Sequence, residues 1–196
     1  MPSNRLVVFR NTPFGTDALR GVGQASRYTG RFHRKRDPLP LYAASSFEAA
    51  LREHELHAVE PLQPEREVRR RVSALAIAAG TRLLLGDHVA TLRATGLTLK
   101  EVYHPTDYSG CHKLIEFARG IPGVVAVSTQ SNADRRQRTI AVLPEHAHRV
   151  TALVDYWEGS LNLLKQAFAP MPLWPQGSAS SARTGRWSEP GSSSTS

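Results

Sequence analysis

Two short runs of β-forming residues, 123–129 and 138–143, are joined by a polar loop holding Asn132 and Asp134, and this pattern constrains the fold most. β-branched side chains such as Val124, Val125, Val127 and Ile140 fit a pleated, buried surface, and two such runs across a polar connection read as an antiparallel pair. Such a pair needs more strands and a cover. Residues 6–10 form a short apolar run that ends in a charge, which reads as a strand delivering Arg10 to a sheet edge. Residues 39–44, after Pro38, read as a second short strand. Residues 67–76 mix charges with Val68, Val72 and Leu75 and fit either a continuous strand or one running out of a helix end.

Helix signals fall between these runs. Ser45 can cap a helix over 46–56, with Glu48 three residues on closing a capping box. Phe47, Ala50 and Leu51 form its apolar face, and Glu53 lies one turn beyond Ala49 and Ala50, where small side chains leave room for a ligand. A second helix starts near Ser109, ahead of Cys111, Leu114, Ile115 and Ala118, and offers unpaired backbone N–H groups there. Residues 144–168 read as helical. Residues 11–35 carry Gly15, Gly21, Gly23 and Gly30 with few core candidates, so they read as a long loop that covers a ligand.

At 196 residues and 40% hydrophobic content the chain fits one domain, over 1–169, followed by a Pro/Gly/Ser-rich tail, 170–196, expected to be mobile. One cysteine, Cys111, excludes an internal disulfide and a multi-thiolate zinc site, and its burial is expected. No apolar stretch reaches the roughly 18–20 residues that span a bilayer, and no signal-peptide core precedes residue 10, so a cytoplasmic protein is the default expectation. The formal charge of +8 favours anionic ligands or an acidic partner. Basic clusters at 33–36, 69–71 and 135–138 lack interleaved aromatics, which leaves a nucleic-acid-binding module as the rival of another class.

Several motif-like segments carry little. His54-Glu55-Leu56-His57 has its histidines three apart, not the four a zincin helix needs, and no metal site is expected. Gly21-Val22-Gly23 lacks the preceding strand and following helix of a dinucleotide fingerprint. Cys111 and His112 are adjacent, about 100° apart on a helix, which is poor geometry for a thiol–imidazole pair.

Three spaced blocks carry more. Arg10 after the first strand, Tyr42 eleven residues before Glu53, and Ser109 in Asp-Tyr-Ser-Gly-Cys together resemble the RES-domain toxin family of type II toxin–antitoxin systems, named for its Arg, Glu and Ser. Gly30-Arg31-Phe32 is similar to the family's glycine-arginine-aromatic segment. The likeness covers roughly 6–143, with two departures: Asn11 stands where some relatives have a second aromatic, and Gly30 alone precedes Arg31. The resemblance implies an α+β fold with an ADP-ribosyltransferase-like split antiparallel sheet and surrounding helices. It implies NAD as substrate, with no further cofactor, and a cognate antitoxin as partner, an Xre-like DNA-binding protein being one kind; a homodimer is compatible with it.

The residue types suit that chemistry. Arg10 and Arg31 can fork onto phosphate oxygens, and Tyr42 offers a flat face to a nicotinamide ring. Glu53 can accept hydrogen bonds from ribose hydroxyls and stabilise positive charge at the anomeric carbon, with Ser109 orienting it or binding a phosphate or ribose oxygen. Water, phosphate or a protein side chain can each accept the ADP-ribosyl group, the last making the chain an ADP-ribosyltransferase.

Overall fold

The structure is a computed structural model that describes residues 5–57 and 69–160. The expected mobile tail from residue 170 lies outside the described residues, as do the side chains of the His54–His57 motif.

Among the described residues seven strands form one sheet: β1 (Leu6–Pro13), β2 (Leu41–Ala44), β3 (Arg69–Ile77), β4 (Arg82–Leu85), β5 (Val124–Gln130), β6 (Arg138–Val142) and β7 (Val150–Ser160). Their order is β4-β5-β6-β2-β1-β3-β7. The 123–129 and 138–143 runs pair antiparallel as their pattern dictates, in register Gln130↔Arg138 through Ala126↔Val142. Pairing is antiparallel elsewhere except between β4 and β5, so the sheet is mixed. β4, only Arg82-Leu83-Leu84-Leu85, is too short to announce itself by alternation.

Helices α1 (Phe47–His57), α2 (Val89–Thr95), α3 (Leu99–Val102) and α4 (Ser109–Arg119) join the sheet. Two buried clusters sandwich its centre. One gathers Val8, Leu41, Leu75, Ile77 and Val125; the other places Leu114, Ile115 and Ala118 of α4 against Val124 and Val127. β5 is therefore covered on both faces, which is why its sequence is a continuous apolar run. Burying one side chain such as Leu114 contributes about 1.5–3 kcal/mol. Gly110 is required where α4 starts, because a Cβ there would stand 2.7 Å from the Glu101 carbonyl oxygen.

Two local expectations are corrected. Residues 144–168 do not begin a long helix: Pro144 opens a single 3-10 segment (Pro144–Arg149), after which 150–160 form β7 against β3. Val150, Thr151, Val154, Tyr156 and Trp157 are β-formers, and the sheet edge offers them a partner. At α1 the cap is Ser46, whose hydroxyl accepts the Ala49 N–H at 3.1 Å; Ser45 instead bonds Gln137 Oε1 and the Arg138 N–H.

The feature that positions the site is a weak seam. β1 and β3 stay in register over eight residue pairs, whereas β1 and β2 share only Phe9↔Ala44. There the sheet splits and leaves room for a ligand.

Candidate functional site

A cavity of about 560 Å³ opens at this seam. Phe9 and Asn11 of β1, Tyr42, Ala43 and Ala44 of β2, and Ala50 and Glu53 of α1 line it; Thr139 and Tyr108 contribute from the far side of β2 and from the start of α4. Tyr28, Thr29, Gly30, Arg31 and His33 of the long loop complete the wall.

Glu53 reaches the cavity because Ala50, one helical turn earlier, has no bulk to fill it. Its Oε1 accepts hydrogen bonds from Ser131 Oγ at 2.5 Å and Thr139 Oγ1 at 2.7 Å. Ser131 is fully buried just beyond β5. Its oxygen accepts the backbone N–H groups of Ala133 and Asp134, at 3.0 and 3.1 Å, in a local serine turn. The lone pairs are thus occupied, and the hydroxyl proton is directed to the carboxylate.

Arg31 is held quite differently. It is 7% exposed, and among the described residues neither Nη1 nor Nη2 has a hydrogen-bond partner. Its guanidinium carbon lies 5.2 Å from the Phe32 ring centroid and 5.6 Å from that of Tyr103, so aromatic faces compensate part of the charge. Buried N–H groups without an acceptor are costly, and an anion with two acceptor oxygens would satisfy both Nη atoms; Arg10 Nη1 is buried without a partner as well. Close by, burial pushes the Cys111 thiol up, with Arg31 acting the other way, and its S–H donates to the Val102 carbonyl. The thiol is a buried core group, as the sequence suggested.

The segment bearing Arg31 is fixed by small, specific contacts. Gly30 and His33 form an isolated bridge, and His112 Nε2 lies 2.9 Å from the Gly30 carbonyl oxygen. A Cβ on Gly30 would fall 2.4 Å from His33 Cε1, so any other residue there would displace the His33 ring. The Tyr42 hydroxyl accepts the Phe32 N–H at 3.0 Å and meets His33 Nδ1 at 2.8 Å. Donation of the phenolic proton to Nδ1 lets the Tyr42 oxygen serve the Phe32 N–H at the same time and leaves the imidazole proton on Nε2, which is buried and has no hydrogen-bond partner among the described residues. Burial pushes the Tyr42 phenol far above its usual range, so it stays neutral.

The structure thus brings Arg31, Tyr42 and Glu53 to one cavity, and leaves Arg10 and Ser109 out of its lining. Phe9 and Asn11 face the cavity, and strand alternation turns Arg10 to the opposite side of β1, where Nη2 donates to the Arg20 carbonyl at 3.2 Å. Burial lowers its pKa, against the attraction of Asp17. Ser109 begins α4 as expected, but it is exposed and tied to Asp107, whose carboxylate accepts its N–H at 2.9 Å. The hydroxyls on Glu53 belong to Ser131 and Thr139. The sequence signal for the Ser131 hydroxyl is Ser131-Asn132-Ala133-Asp134 directly after a β run, a serine-turn sequence.

One arginine of each basic cluster is held in an ion pair. Arg34 pairs with Glu116, Arg71 with Asp155 and Glu158, and Arg138 with Asp87. Among the described residues no group of three or more His, Cys, Asp or Glu side chains could hold a metal, and no helix is long and apolar enough to cross a membrane.

Comparison with known proteins bears on this geometry. A family model described as RES domain matches residues 5–162. Among solved structures, the crystal structure of the M. tuberculosis MbcT–MbcA toxin–antitoxin complex contains a chain that superposes with a TM-score of 0.61 at 20% identity, over 84% of this chain and 89% of that one. That likeness is one of fold. No curated protein matches.

Proposed function

Because the chain belongs to the RES-domain family, we propose that it is the toxin of a toxin–antitoxin pair and that it destroys NAD by cleaving the nicotinamide–ribose bond. The observation that carries this reading is the pairing, in one 560 Å³ cavity, of a buried guanidinium lacking partners with a carboxylate held by two hydroxyls. A volume of that size suits an organic ligand larger than a single sugar or phosphate.

In this reading Arg31 forks onto the pyrophosphate, which supplies the acceptors its Nη atoms lack. Tyr42, anchored by its hydroxyl, presents a fixed aromatic ring beside the nicotinamide, and Phe9 lines the same space. As the C1′–N bond breaks, its electron pair leaves with neutral nicotinamide and positive charge develops on the ribose. Glu53 stabilises that charge, and Ser131 and Thr139 keep its carboxylate aimed without any rearrangement during the reaction. Water or phosphate then attacks C1′ and releases a proton. Arg10 and Ser109 act outside this contact set, Arg10 by tying β1 to the 17–20 turn and Ser109 by starting α4.

The net charge of +8 supports an acidic inhibitory surface on the antitoxin, and the cytoplasm, where NAD is abundant, is the site of action. The test is to incubate purified protein with NAD, with and without phosphate, and to identify products chromatographically. Free nicotinamide with ADP-ribose, or with its phosphorylated form when phosphate is present, is expected. Label transferred to protein instead would make the chain an ADP-ribosyltransferase. Salt-sensitive nucleic-acid binding with no nicotinamide release would sink the enzymatic reading.

A further inference from the structure

Asp87 sits in the turn after β4, outside the cavity, with its side chain 12% exposed. Three donors converge on it. Oδ1 accepts Arg138 Nη2 at 2.7 Å, and Oδ2 accepts both the Tyr103 hydroxyl at 2.7 Å and the Gln130 N–H at 2.9 Å. The guanidinium of Arg138 also grips Ser128, through Oγ at 2.8 Å and the carbonyl oxygen at 3.0 Å.

The placement of these partners is informative. Gln130 and Arg138 face each other as register partners at the end of the β5–β6 ladder. The next residue after each is Ser131 or Thr139, the two hydroxyls that hold Glu53 Oε1. One carboxylate therefore fixes both strand ends from behind. We propose that Asp87 is a positioning residue for the reaction: it clamps Gln130 and Arg138 so that the Ser131 and Thr139 hydroxyls meet Glu53 in register. This rests on the reading of Glu53 as the group that stabilises the ribosyl cation.

The chemistry requires an ionised acid at this position. Both oxygens accept, and an amide has only one acceptor; its NH₂ would face either Arg138 or the Gln130 N–H, donor against donor. Charged hydrogen bonds in a partly desolvated setting are strong and direction-specific, which suits a device that sets positions to fractions of an ångström. Tyr103 joins the clamp through its hydroxyl, while its ring stands beside Arg31.

The variants are Asp87→Asn and the milder Tyr103→Phe, which keeps the ring and removes one donor. With NAD as substrate, Asp87→Asn should lower kcat about tenfold and leave KM within about threefold, because displaced catalytic groups lose rate more than binding. In a Ser131→Ala, Thr139→Ala background the same substitution should lower kcat less than about twofold, since the groups it positions are gone. An equal loss in both backgrounds overturns the proposal. Should Asp87→Asn not fold, Tyr103→Phe carries the same comparison with a smaller expected loss. A ligand-free measurement stands apart from the chemistry: amide hydrogen exchange at Gln130 and Ser131 should quicken about tenfold in Asp87→Asn or Tyr103→Phe, as a freed strand end opens locally. Unchanged exchange defeats the clamp even if NAD is consumed. Absence of NAD turnover in the wild type defeats the functional reading and leaves the clamp to be judged by exchange.

Discussion

Glu53 stands on a regular helix with Oε1 gripped by two hydroxyls, whereas Arg31, lining the same cavity, stands on an irregular loop segment and keeps two nitrogens without partners. The difference separates what the protein completes for itself from what it leaves to a ligand. The carboxylate half is finished when the chain folds. On the proposed reading, the guanidinium half is finished only when an anion supplies acceptors for the two Nη atoms. Substitutions in the two halves should therefore differ in kind as well as size.

The largest effect is expected at the finished half. Glu53→Gln should cut nicotinamide release by at least about a hundredfold, the scale on which removing a preorganised charge-stabilising group acts. Far-ultraviolet circular dichroism should be unchanged, because the side chain lines a cavity and not the core. Turnover equal to wild type in steady-state assays would end the comparison at its first term.

Next comes the unfinished half. Arg31→Met removes the fork that meets phosphate, so KM for NAD should rise about tenfold or more. In the absence of ligand the melting temperature should hold or rise, because an unpaired buried charge has been replaced by an apolar chain of similar length. Arg10→Met, on the other side of β1, should change KM less than about twofold. A larger KM effect at Arg10 than at Arg31 would reverse the assignment of the anion-binding side chain.

How far the residues alone could be read differs along the same division. Tyr42 and Glu53 were legible because strand, helix start and small alanines fix their directions locally, and Gly30-Arg31-Phe32 stood out as a block. The antiparallel β5–β6 pair was legible from its β-branched runs. Ser131 was not, because its role depends on a contact across 78 sequence positions, and its local turn looks like any polar connection. Ser109 had the more conspicuous helix-start setting, which concerns α4 and not the cavity. The side of β1 that Arg10 faces depends on the seam with β2, where a single register pair survives. β7 was hidden by Pro144 and the helix-compatible residues after it; only pairing with β3 resolves the ambiguity.

The hydroxyl pair sharpens the contrast on a smaller scale. Ser131→Ala should lower kcat about tenfold, as expected for loss of a hydrogen bond to a charged group, and should also reduce stability by about 1–3 kcal/mol by orphaning the N–H groups of Ala133 and Asp134. Ser109→Ala should stay within about twofold of wild type in kcat, since its hydroxyl lies at an exposed helix start. Chemical denaturation and initial rates on the two variants decide the matter. A larger rate loss at Ser109 would restore it to the site.

The smallest expected difference is in acid sensitivity, where each half should report in its own pH window. Burial would raise the Asp87 carboxyl, but hydrogen bonds from Arg138, Tyr103 and Gln130 outweigh it and hold the group below its ordinary range. A depressed carboxyl stabilises the fold fully above its unfolded value of about 3.9 and loses that contribution as pH falls through the folded value. His33 beside Arg31 is also lowered, first by burial and then by His112, against Asp37 and the Tyr28 backbone. For a histidine the unfolded chain then takes up the proton first, so stability declines as pH falls from about 6.5 toward the lower folded value. Urea midpoints measured from pH 7 to pH 3 should thus show His33→Asn removing part of the decline near neutrality and Asp87→Asn removing part of it below about pH 4. If Asp87→Asn altered the upper window and left the lower one intact, the carboxylate clamp behind Glu53 would not be the acid-sensitive support of that half.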